Sequence, residues 1–227
     1  MVIGTWQKLK HCDPIELFLD DVTITRVDTY KYLGVTVDSN ISGAPHVHDK
    51  VCKKASSRIG ISKRIIPYLS KPTAKLVYNT SIAHIFDYCG VVWDTCSDTS
   101  ATKVQKLQNR AARQIIGVNN GTPSDAALSQ LGWIPLSRRR KNHKVNLMYK
   151  CLHHKIEGIN MDFMKHTDRH SYNTRNKEAF VLPKLRTNQL KGSFKYSAIL
   201  TCYLLPLDIR KSTSLNTLKR FLKNVNL

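Results

Sequence analysis

The chain has 227 residues, of which 36 are lysine or arginine and 16 are aspartate or glutamate, so its formal net charge is +20. This surplus indicates a polyanionic partner, and the 41% of hydrophobic residues are sufficient for a packed core. The six cysteines are scattered without a C-x-x-C pair, which argues against a disulfide scaffold and favours a reducing compartment. Because neither a signal peptide nor an apolar run of about 20 residues is present, we expect an intracellular chain, in the nucleus or cytoplasm, without a membrane partner.

The positive charge is unevenly distributed along the chain. Residues 1–40 carry a net charge of −2, whereas the remainder carries +22. The cationic surplus therefore belongs to the part of the chain that follows residue 40.

The first 38 residues have the pattern of short strands. Alternating residues predict strands at 1–5, 15–19, 22–27 and 29–38, with a hairpin turn at Asp20-Asp21. Strands this short cannot bury a face unaided. We therefore expect either the end of a larger sheet or strands that pack on helices.

After Pro45 the hydrophobic period becomes helical. It predicts helices at 45–69, from Ser70 to about 93, from Ser97 or Asp98 to Gly117, at 122–131, from 136 to about 154, and at 214–222. Residues 165–195 are expected to form an ordered loop. The predicted fold class is α+β, with short N-terminal antiparallel strands followed by a mainly α-helical region. The predicted apolar positions of the first three helices are Val47, Val51, Ala55, Ile59, Ile65 and Leu69; Leu76, Val77, Thr80, Ala83, His84, Asp87 and Val91; and Val104, Leu107, Ala111, Ile115 and Ile116.

Phe18-Leu19-Asp20-Asp21 has the form of the aromatic-x-Asp-Asp box in which polymerases hold two Mg²⁺ ions. A two-metal site needs a further carboxylate from an earlier strand, and no such residue precedes this box. Because aspartate also favours turns, we interpret the pair as a hairpin turn.

Histidine and cysteine offer weak metal-site candidates. None of the candidate sets has the paired spacing of a structural zinc site, so we expect no metal centre. The sets considered are His46, His48 and Cys52; His166 with His170; and Cys89 with Cys96.

The clusters of lysine and arginine indicate a nucleic-acid site more strongly than the histidine and cysteine sets indicate a metal site. Several share a helix face and are suited to contact one phosphate backbone, although charge runs are commonly just solvated helix faces. Tyr172 and Arg175 lie in a segment that combines an aromatic ring, hydroxyls and a cation, a mixture suited to stacking and phosphate contact. The helical candidates are Lys53, Lys54, Arg58, Lys63 and Arg64; Arg110 and Arg113; and Arg138, Arg139, Arg140 and Lys144.

The segment from Tyr30 to Asp38, YKYLGVTVD, closely resembles the segment that follows the catalytic palm in non-LTR (LINE-type) retrotransposon reverse transcriptases, especially the jockey-like and chicken-repeat-like clades. The similarity continues in order through DYCGVVW from Asp87, KLQNRAAR from Lys106, LGW from Leu131, the pair Arg138-Arg139, MYKCL from Met148, YNTR from Tyr172 and LPLDIR from Leu205. It departs at Gly43, where the family usually carries Trp, and at Thr201–Leu204, which replaces Leu-Trp-Asn-Ser.

The resemblance implies three segments. Residues 1–40 correspond to the end of the palm and the primer grip, 41–118 to a thumb-like region, and 119–227 to the C-terminal region. In this family the grip holds the primer 3′ end, the thumb tracks the template–primer, and the catalytic carboxylates with their Mg²⁺ lie upstream. The implied partners are an RNA/DNA template–primer and an upstream palm and fingers, and no cofactor is expected in this chain itself.

Within the implied grip, Lys31, Tyr32, Leu33 and Gly34 are the expected contacts to nucleic acid. The turn lies at residues 32–34, and Gly34 is explained if a nucleic-acid backbone approaches closely there, since only glycine leaves that room.

Our leading hypothesis is a truncated reverse transcriptase that binds nucleic acid and is inactive by itself. One alternative is a basic helical interaction module that docks on a partner through Trp93, Trp133 and its helix faces. Another is a non-functional remnant of an element, with an incomplete core and an exposed sheet edge.

Overall fold

The computed structural model describes residues 1–11, 16–119, 121–157, 161, 163–168, 179–210, 212 and 214–224. The chain divides into two compact units, Met1–Trp133 and Ile134–Leu227. The described residues are mainly helical, with two antiparallel strand pairs near the N-terminus. The predicted α+β class is confirmed, and the finer division at residues 40 and 118 stays a prediction.

The strands form two separate hairpins. Strand β1 (Phe18–Leu19) pairs with β2 (Val22–Thr23), and β3 (Thr29–Tyr32) pairs with β4 (Val35–Asp38). Both turns have positive φ at their two central residues, the pattern of a type I′ turn. These φ values are 47° and 64° at Asp20 and Asp21, and 43° and 81° at Leu33 and Gly34.

The first turn is therefore where the sequence predicted it. The strand predicted at 29–38 is not continuous: a two-residue turn at Leu33-Gly34, within the turn expected at residues 32–34, folds the segment back on itself, so Lys31 pairs with Thr36. The predicted strand at residues 1–5 is also absent. There Thr5 caps a short helix, α1 (Trp6–Lys10), and the Gly4 amide donates to the Ser39 carbonyl oxygen at 3.0 Å.

The next helical stretch runs without interruption through residues 44–68. It comprises α2 (Ala44–His46), a π-helical turn (Val47–Cys52), α3 (Lys53–Ile65) and a 3₁₀ turn (Ile66–Tyr68). Its buried face carries the predicted Val47, Val51, Ala55 and Ile59. Beyond Ile59 the prediction was wrong at Ile65, which is exposed. Ser62 is buried after Ile59, and the half-buried Ile66, four residues after Ser62, continues that face in place of Ile65.

Ser70 begins the following helical stretch by accepting a hydrogen bond from the Thr73 amide. The stretch comprises α4 (Lys71–Tyr78), a π-helical turn (Asn79–Ala83) and α5 (His84–Asp87), followed by α6 (Gly90–Trp93). It does not run unbroken to residue 93, because Cys89 adopts a left-handed backbone with φ of 50°. The bulky Tyr78, Ile82 and Phe86 are buried, whereas Leu76, Thr80 and His84 of the predicted face are exposed.

Helix α7 (Asp98–Ile116) has the predicted limits: Ser97 caps its first turn and Gly117 ends it with a φ of 74°. Helix α8 (Ser124–Leu131) ends before Gly132, as predicted, and begins two residues after the predicted start at 122, with Pro123 in its N-cap position. α7 packs against α3, α4 and α8, and Val104, Ala111 and Ile115 are buried there. The rings of Tyr78 and Trp133 stack with centroids 3.9 Å apart.

The second unit is built on α9 (Leu136–Leu152), α11 (Phe194–Tyr203) and α13 (Leu215–Asn224), with short α10 (Asn188–Gly192), α12 (Leu207–Arg210) and a 3₁₀ turn (His166–Asp168). Its core includes Met148 and Tyr149 of α9, Ile199 of α11, and Leu218 and Leu222 of α13. Sequence periodicity missed α10, α11 and α12. The apolar residues of α11 surround most of its circumference, so they leave no stripe by which periodicity detects a helix.

Within the described residues, no helix combines the length and the apolarity that a bilayer crossing requires.

Candidate nucleic-acid interface

A groove of about 1140 Å³ lies in the unit Met1–Trp133, among the β3–β4 hairpin, helices α2 and α3, and the end of α5. This volume exceeds the roughly 300–1,000 Å³ of a typical small-molecule pocket, which favours an extended ligand. We call it the basic groove. Its lining residues are Lys31, Gly34, His46, Lys50, Val51, Lys53, Lys54, Ser57, Arg58, His84, Ile85, Asp87, Tyr88 and Cys89.

One helical face supplies most of the cations. Lys50, Lys53, Lys54, Ser57 and Arg58 have the spacing i, i+3, i+4, i+7 and i+8, which aligns them on one side of the helical stretch. From the first to the last they extend about 12 Å at 1.5 Å per residue. That length corresponds to three or four phosphates of one strand at about 3.4 Å each.

The charge in the groove is strongly one-sided. Five cationic side chains line it against one carboxylate, Asp87. Asp49 lies beside it on the helix, where its carboxylate is 2.7 Å from the Lys53 ammonium. The hydrogen bond and charge of Lys53 lower the pKa of Asp49. Since both members of this pair are exposed, its contribution to stability is small, and phosphate can compete for Lys53.

The hairpin presents different side chains on its two faces. Lys31 and Gly34 line the basic groove, whereas Tyr32 and Leu33 are exposed and do not. Neighbouring side chains on a strand point to opposite faces, so Lys31 and Tyr32 cannot both face the groove. Of the four predicted grip residues, the structure therefore brings two to this site.

Tyr88 ties the tip of the hairpin to the wall of the groove. Its hydroxyl donates a hydrogen bond of 2.6 Å to the Leu33 carbonyl oxygen. A Cβ placed on residue 34 would lie 3.1 Å from that hydroxyl, and Gly34 has a φ of 81°. The turn and Tyr88 thus account for glycine at this position without a bound nucleic acid.

His46 joins the same hairpin to α2. It is buried, and its Nδ1 accepts a hydrogen bond of 3.2 Å from the Thr36 amide. Burial lowers the pKa of His46, and the charges of Lys50 and Lys54 lower it further. The imidazole is therefore neutral near neutral pH, with its proton on Nε2 and Nδ1 available as the acceptor.

The remaining predicted cations of the first unit lie elsewhere. Lys63 and Arg64, further along α3, and Arg110 on α7 are exposed but do not line the basic groove. Arg113 is half-buried, and its guanidinium donates to the Thr122 carbonyl oxygen at 3.0 Å and to Ser124 Oγ at 2.9 Å. Arg113 therefore connects the end of α7 to the start of α8.

The predicted cations of the second unit are turned inward to different degrees. Arg140 and Lys144, one turn apart on α9, are each only 6% exposed, and Arg138 and Arg139 are half-buried. Arg138 donates to the Leu222 carbonyl oxygen at 3.4 Å. A cation buried to this degree presents little charge to a phosphate backbone. Tyr172 and Arg175 lie outside the described residues.

Within the described ranges, no three His, Cys, Asp or Glu side chains gather into a possible metal site. Two of the weighed candidates have other partners: His46 Nδ1 accepts a hydrogen bond from the Thr36 amide, and His48 Nε2 lies 3.3 Å from Ser100 Oγ. His170 lies outside the described residues. Asp20 and Asp21 occupy the β1–β2 turn.

Sequence reasoning missed several groove residues: Lys50, His46, His84 and Tyr88. Lys50 was detectable, because it precedes Lys53 and Lys54 by three and four residues on the same face. His84 and Tyr88 belong to the α4–α5 stretch, which only tertiary packing brings opposite α3.

Comparison with known proteins gives one informative match. The chain is 25% identical over 121 residues to the probable RNA-directed DNA polymerase from transposon X-element of Drosophila melanogaster. The aligned part covers 48% of this chain and 12% of that relative. No family model matches, and no solved structure gives a significant match. The chain is thus distantly related to a transposon reverse transcriptase.

Proposed function

We propose that this chain is the primer-grip, thumb-like and C-terminal part of a non-LTR, jockey-like LINE reverse transcriptase, and that it binds a template–primer duplex in the basic groove. In this arrangement the catalytic carboxylates, and the Mg²⁺ that they would hold, belong to a palm outside these 227 residues. The 227 residues by themselves then bind nucleic acid without polymerising it.

The observation that carries the proposal is the convergence of two distant segments on one cationic groove. Lys31 from the hairpin and Lys50, Lys53, Lys54 and Arg58 from the helical stretch line the same surface. Phosphate contacts by lysine and arginine release condensed counterions, which makes such a groove a sequence-independent binding site. The relationship to a transposon polymerase makes a primer–template duplex the natural ligand.

The direct test is fluorescence anisotropy with a labelled RNA–DNA hybrid over a range of salt. We expect affinity to fall steeply between about 50 and about 200 mM salt, in proportion to the phosphates contacted. The variant Lys53→Ala/Lys54→Ala/Arg58→Ala should weaken binding by about 10-fold or more and reduce the salt slope by about two to three.

A charge-matched control separates a local site from diffuse attraction. Lys219, Arg220 and Lys223 are exposed on α13 of the second unit, and their triple alanine variant removes the same charge. It should retain most of the affinity. An equal loss of affinity in the two triple variants would refute the basic groove as a nucleic-acid site. Failure of the unaltered chain to bind at about 50 mM salt would refute it as well.

Primer extension tests the absence of catalysis. With Mg²⁺, nucleotides and an annealed primer, we expect no DNA synthesis by the purified chain. Asp20 and Asp21 are not expected to support it, because they form a surface turn with exposed flanking strands. Synthesis that disappears in Asp20→Asn/Asp21→Asn would overturn this part of the proposal.

Exposed apolar side chains in the strand region support the second proposed partner, the palm and fingers of a reverse transcriptase, for which we propose them as the docking surface. Eight large apolar side chains between residues 17 and 33 are 49% to 75% exposed, more than isolated surface residues explain. We expect a complex with a co-expressed palm-and-fingers segment to be lost in Leu19→Asp/Val22→Asp; survival of the complex would refute this surface. The side chains are Leu17, Phe18, Leu19, Val22, Ile24, Tyr30, Tyr32 and Leu33.

A further inference from the structure

The two strands of the β3–β4 hairpin are held differently: β4 packs against α2, with Val35 and Asp38 buried, whereas β3 lies on the outside. All four residues of β3 are exposed, and an isolated two-stranded hairpin is at most marginally stable in water. The position of Lys31 over the basic groove therefore depends on the bonds that hold this hairpin. Two side chains supply such bonds near Lys31: His46 to the Thr36 amide in β4, and Tyr88 to the Leu33 carbonyl oxygen at the tip. At the opposite end of β4, the Asp38 carboxylate accepts hydrogen bonds from the Ser42 and Gly43 amides.

Tyr88 is itself firmly placed. Its own carbonyl oxygen accepts a hydrogen bond of 3.0 Å from Trp93 Nε1, and the Trp93 side chain is buried. The helix break at Cys89 lies between these two residues. The contact between Tyr88 and Leu33 joins residues 55 positions apart, so it links the hairpin tip to the wall formed by α5.

We infer that Tyr88 is a positioning residue for nucleic-acid binding: its hydroxyl holds the hairpin tip so that Lys31, two residues before Leu33, points its ammonium into the basic groove. This inference rests on the proposed function and adds to it a residue that acts through Lys31. The phosphate contact belongs to Lys31, and the Tyr88 hydroxyl determines whether Lys31 is available to make it.

A competing role for Tyr88 is direct contact between its ring and the nucleic acid, since the side chain lines the groove and is exposed. Tyr88→Phe separates the two roles, because it keeps the ring and removes only the hydroxyl that bonds Leu33. Tyr68→Phe is the matched control. It makes the same change on an exposed side chain of the same unit that does not line the basic groove.

We expect Tyr88→Phe to weaken binding of a labelled RNA–DNA hybrid about 3- to 10-fold and to lower the salt slope by about 0.9, the value of one lost phosphate contact. Lys31→Ala should lower the salt slope by the same amount. The double variant Lys31→Ala/Tyr88→Phe should bind like Lys31→Ala alone, because the two changes remove one contact. Tyr68→Phe should leave both the affinity and the salt slope unchanged.

The outcomes separate this inference from the proposed function. Failure of the unaltered chain to bind would refute both. Binding that weakens in the Lys53, Lys54 and Arg58 variant but not in Tyr88→Phe would refute only the positioning role. If the losses of binding free energy from Lys31→Ala and Tyr88→Phe add up in the double variant, the positioning role is also refuted. Tyr88 would then make its own contact with the nucleic acid. Circular dichroism of Tyr88→Phe should show unchanged helix content, which excludes general unfolding as the cause of weaker binding.

Discussion

The Thr36 amide donates a hydrogen bond to Nδ1 of the buried His46 at 3.2 Å, and this bond joins β4 to α2. It requires an unprotonated Nδ1. Burial, with Lys50 and Lys54 nearby, lowers the pKa of His46 below its ordinary value of 6.5. The neutral state that the bond needs is thus the state that its surroundings favour.

This relationship predicts an acid-sensitive fold. Because the pKa of His46 is lower in the folded chain than in the unfolded chain, the unfolded chain binds more protons as the pH falls below about 6.5. The free energy of unfolding should therefore decrease on acidification through this range and be insensitive to His46 above it. His46→Asn keeps an acceptor but does not titrate. Urea unfolding over a pH series should show a weaker acid dependence in this variant; equal dependence would contradict the role of His46.

Gly34→Ala should destabilise the first unit by about 1–2 kcal/mol, since alanine strains a left-handed backbone. The added Cβ would also lie 3.1 Å from the Tyr88 hydroxyl. Gly60→Ala is the counterpart: it lies inside α3 with nothing within 4 Å of the added Cβ. Because alanine favours a helix more than glycine does, Gly60→Ala should raise the free energy of unfolding by about 0.5–1 kcal/mol. Urea midpoints that move in the same direction for both variants would contradict a specific requirement for glycine at residue 34.

Ile59→Ala should lower the free energy of unfolding by about 2–4 kcal/mol, because it leaves a cavity at a fully buried position between α3 and the neighbouring helices. Ile61, two residues later on the same helix, is 52% exposed whereas Ile59 is 0% exposed. Ile61→Ala should change the free energy of unfolding by no more than about 0.5 kcal/mol. Chemical denaturation of both variants measures the difference, and equal effects would place the core of this unit elsewhere.

The thiol of Cys202 should resist alkylation in the folded chain. Burial raises its pKa to about 11, so at about pH 8 roughly one molecule in a thousand carries the reactive thiolate. Cys96 is only half-buried. Iodoacetamide followed by peptide mass spectrometry should therefore modify Cys96 well before Cys202, and urea should remove the difference. Rapid labelling of Cys202 without denaturant would show that the core of the second unit opens readily.

Local chemistry was predictable where a few neighbouring residues decide the structure. Ser70, Ser97, Gly117 and Gly132 mark helix ends as expected, because capping depends on the residue at the end itself. Asp20-Asp21 likewise marks a turn. Helix α11 was not predictable, since its burial among α9 and α13, rather than an amphipathic stripe, decides its structure.

Gly43 shows the limit of comparing sequences position by position. The resemblance marked it as a departure from a usual tryptophan. In this chain residue 43 has a φ of 66°, and a Cβ there would lie 3.3 Å from the Trp93 carbonyl oxygen. The Asp38 carboxylate accepts a hydrogen bond of 3.1 Å from the Gly43 amide. The backbone of this turn thus has its own requirement for glycine.

The charge division, the α+β class and most helix limits could be predicted from the sequence alone, because composition, period and local capping need no knowledge of distant contacts. The relationship to a transposon polymerase came from the resemblance of sequence segments and from the alignment with a relative. Only the tertiary structure shows which cations share one groove. It brought Lys31 to Lys53, Lys54 and Arg58 and buried Arg140 and Lys144. It also placed Tyr88 against Leu33, because packing joins segments that the linear sequence separates by tens of residues.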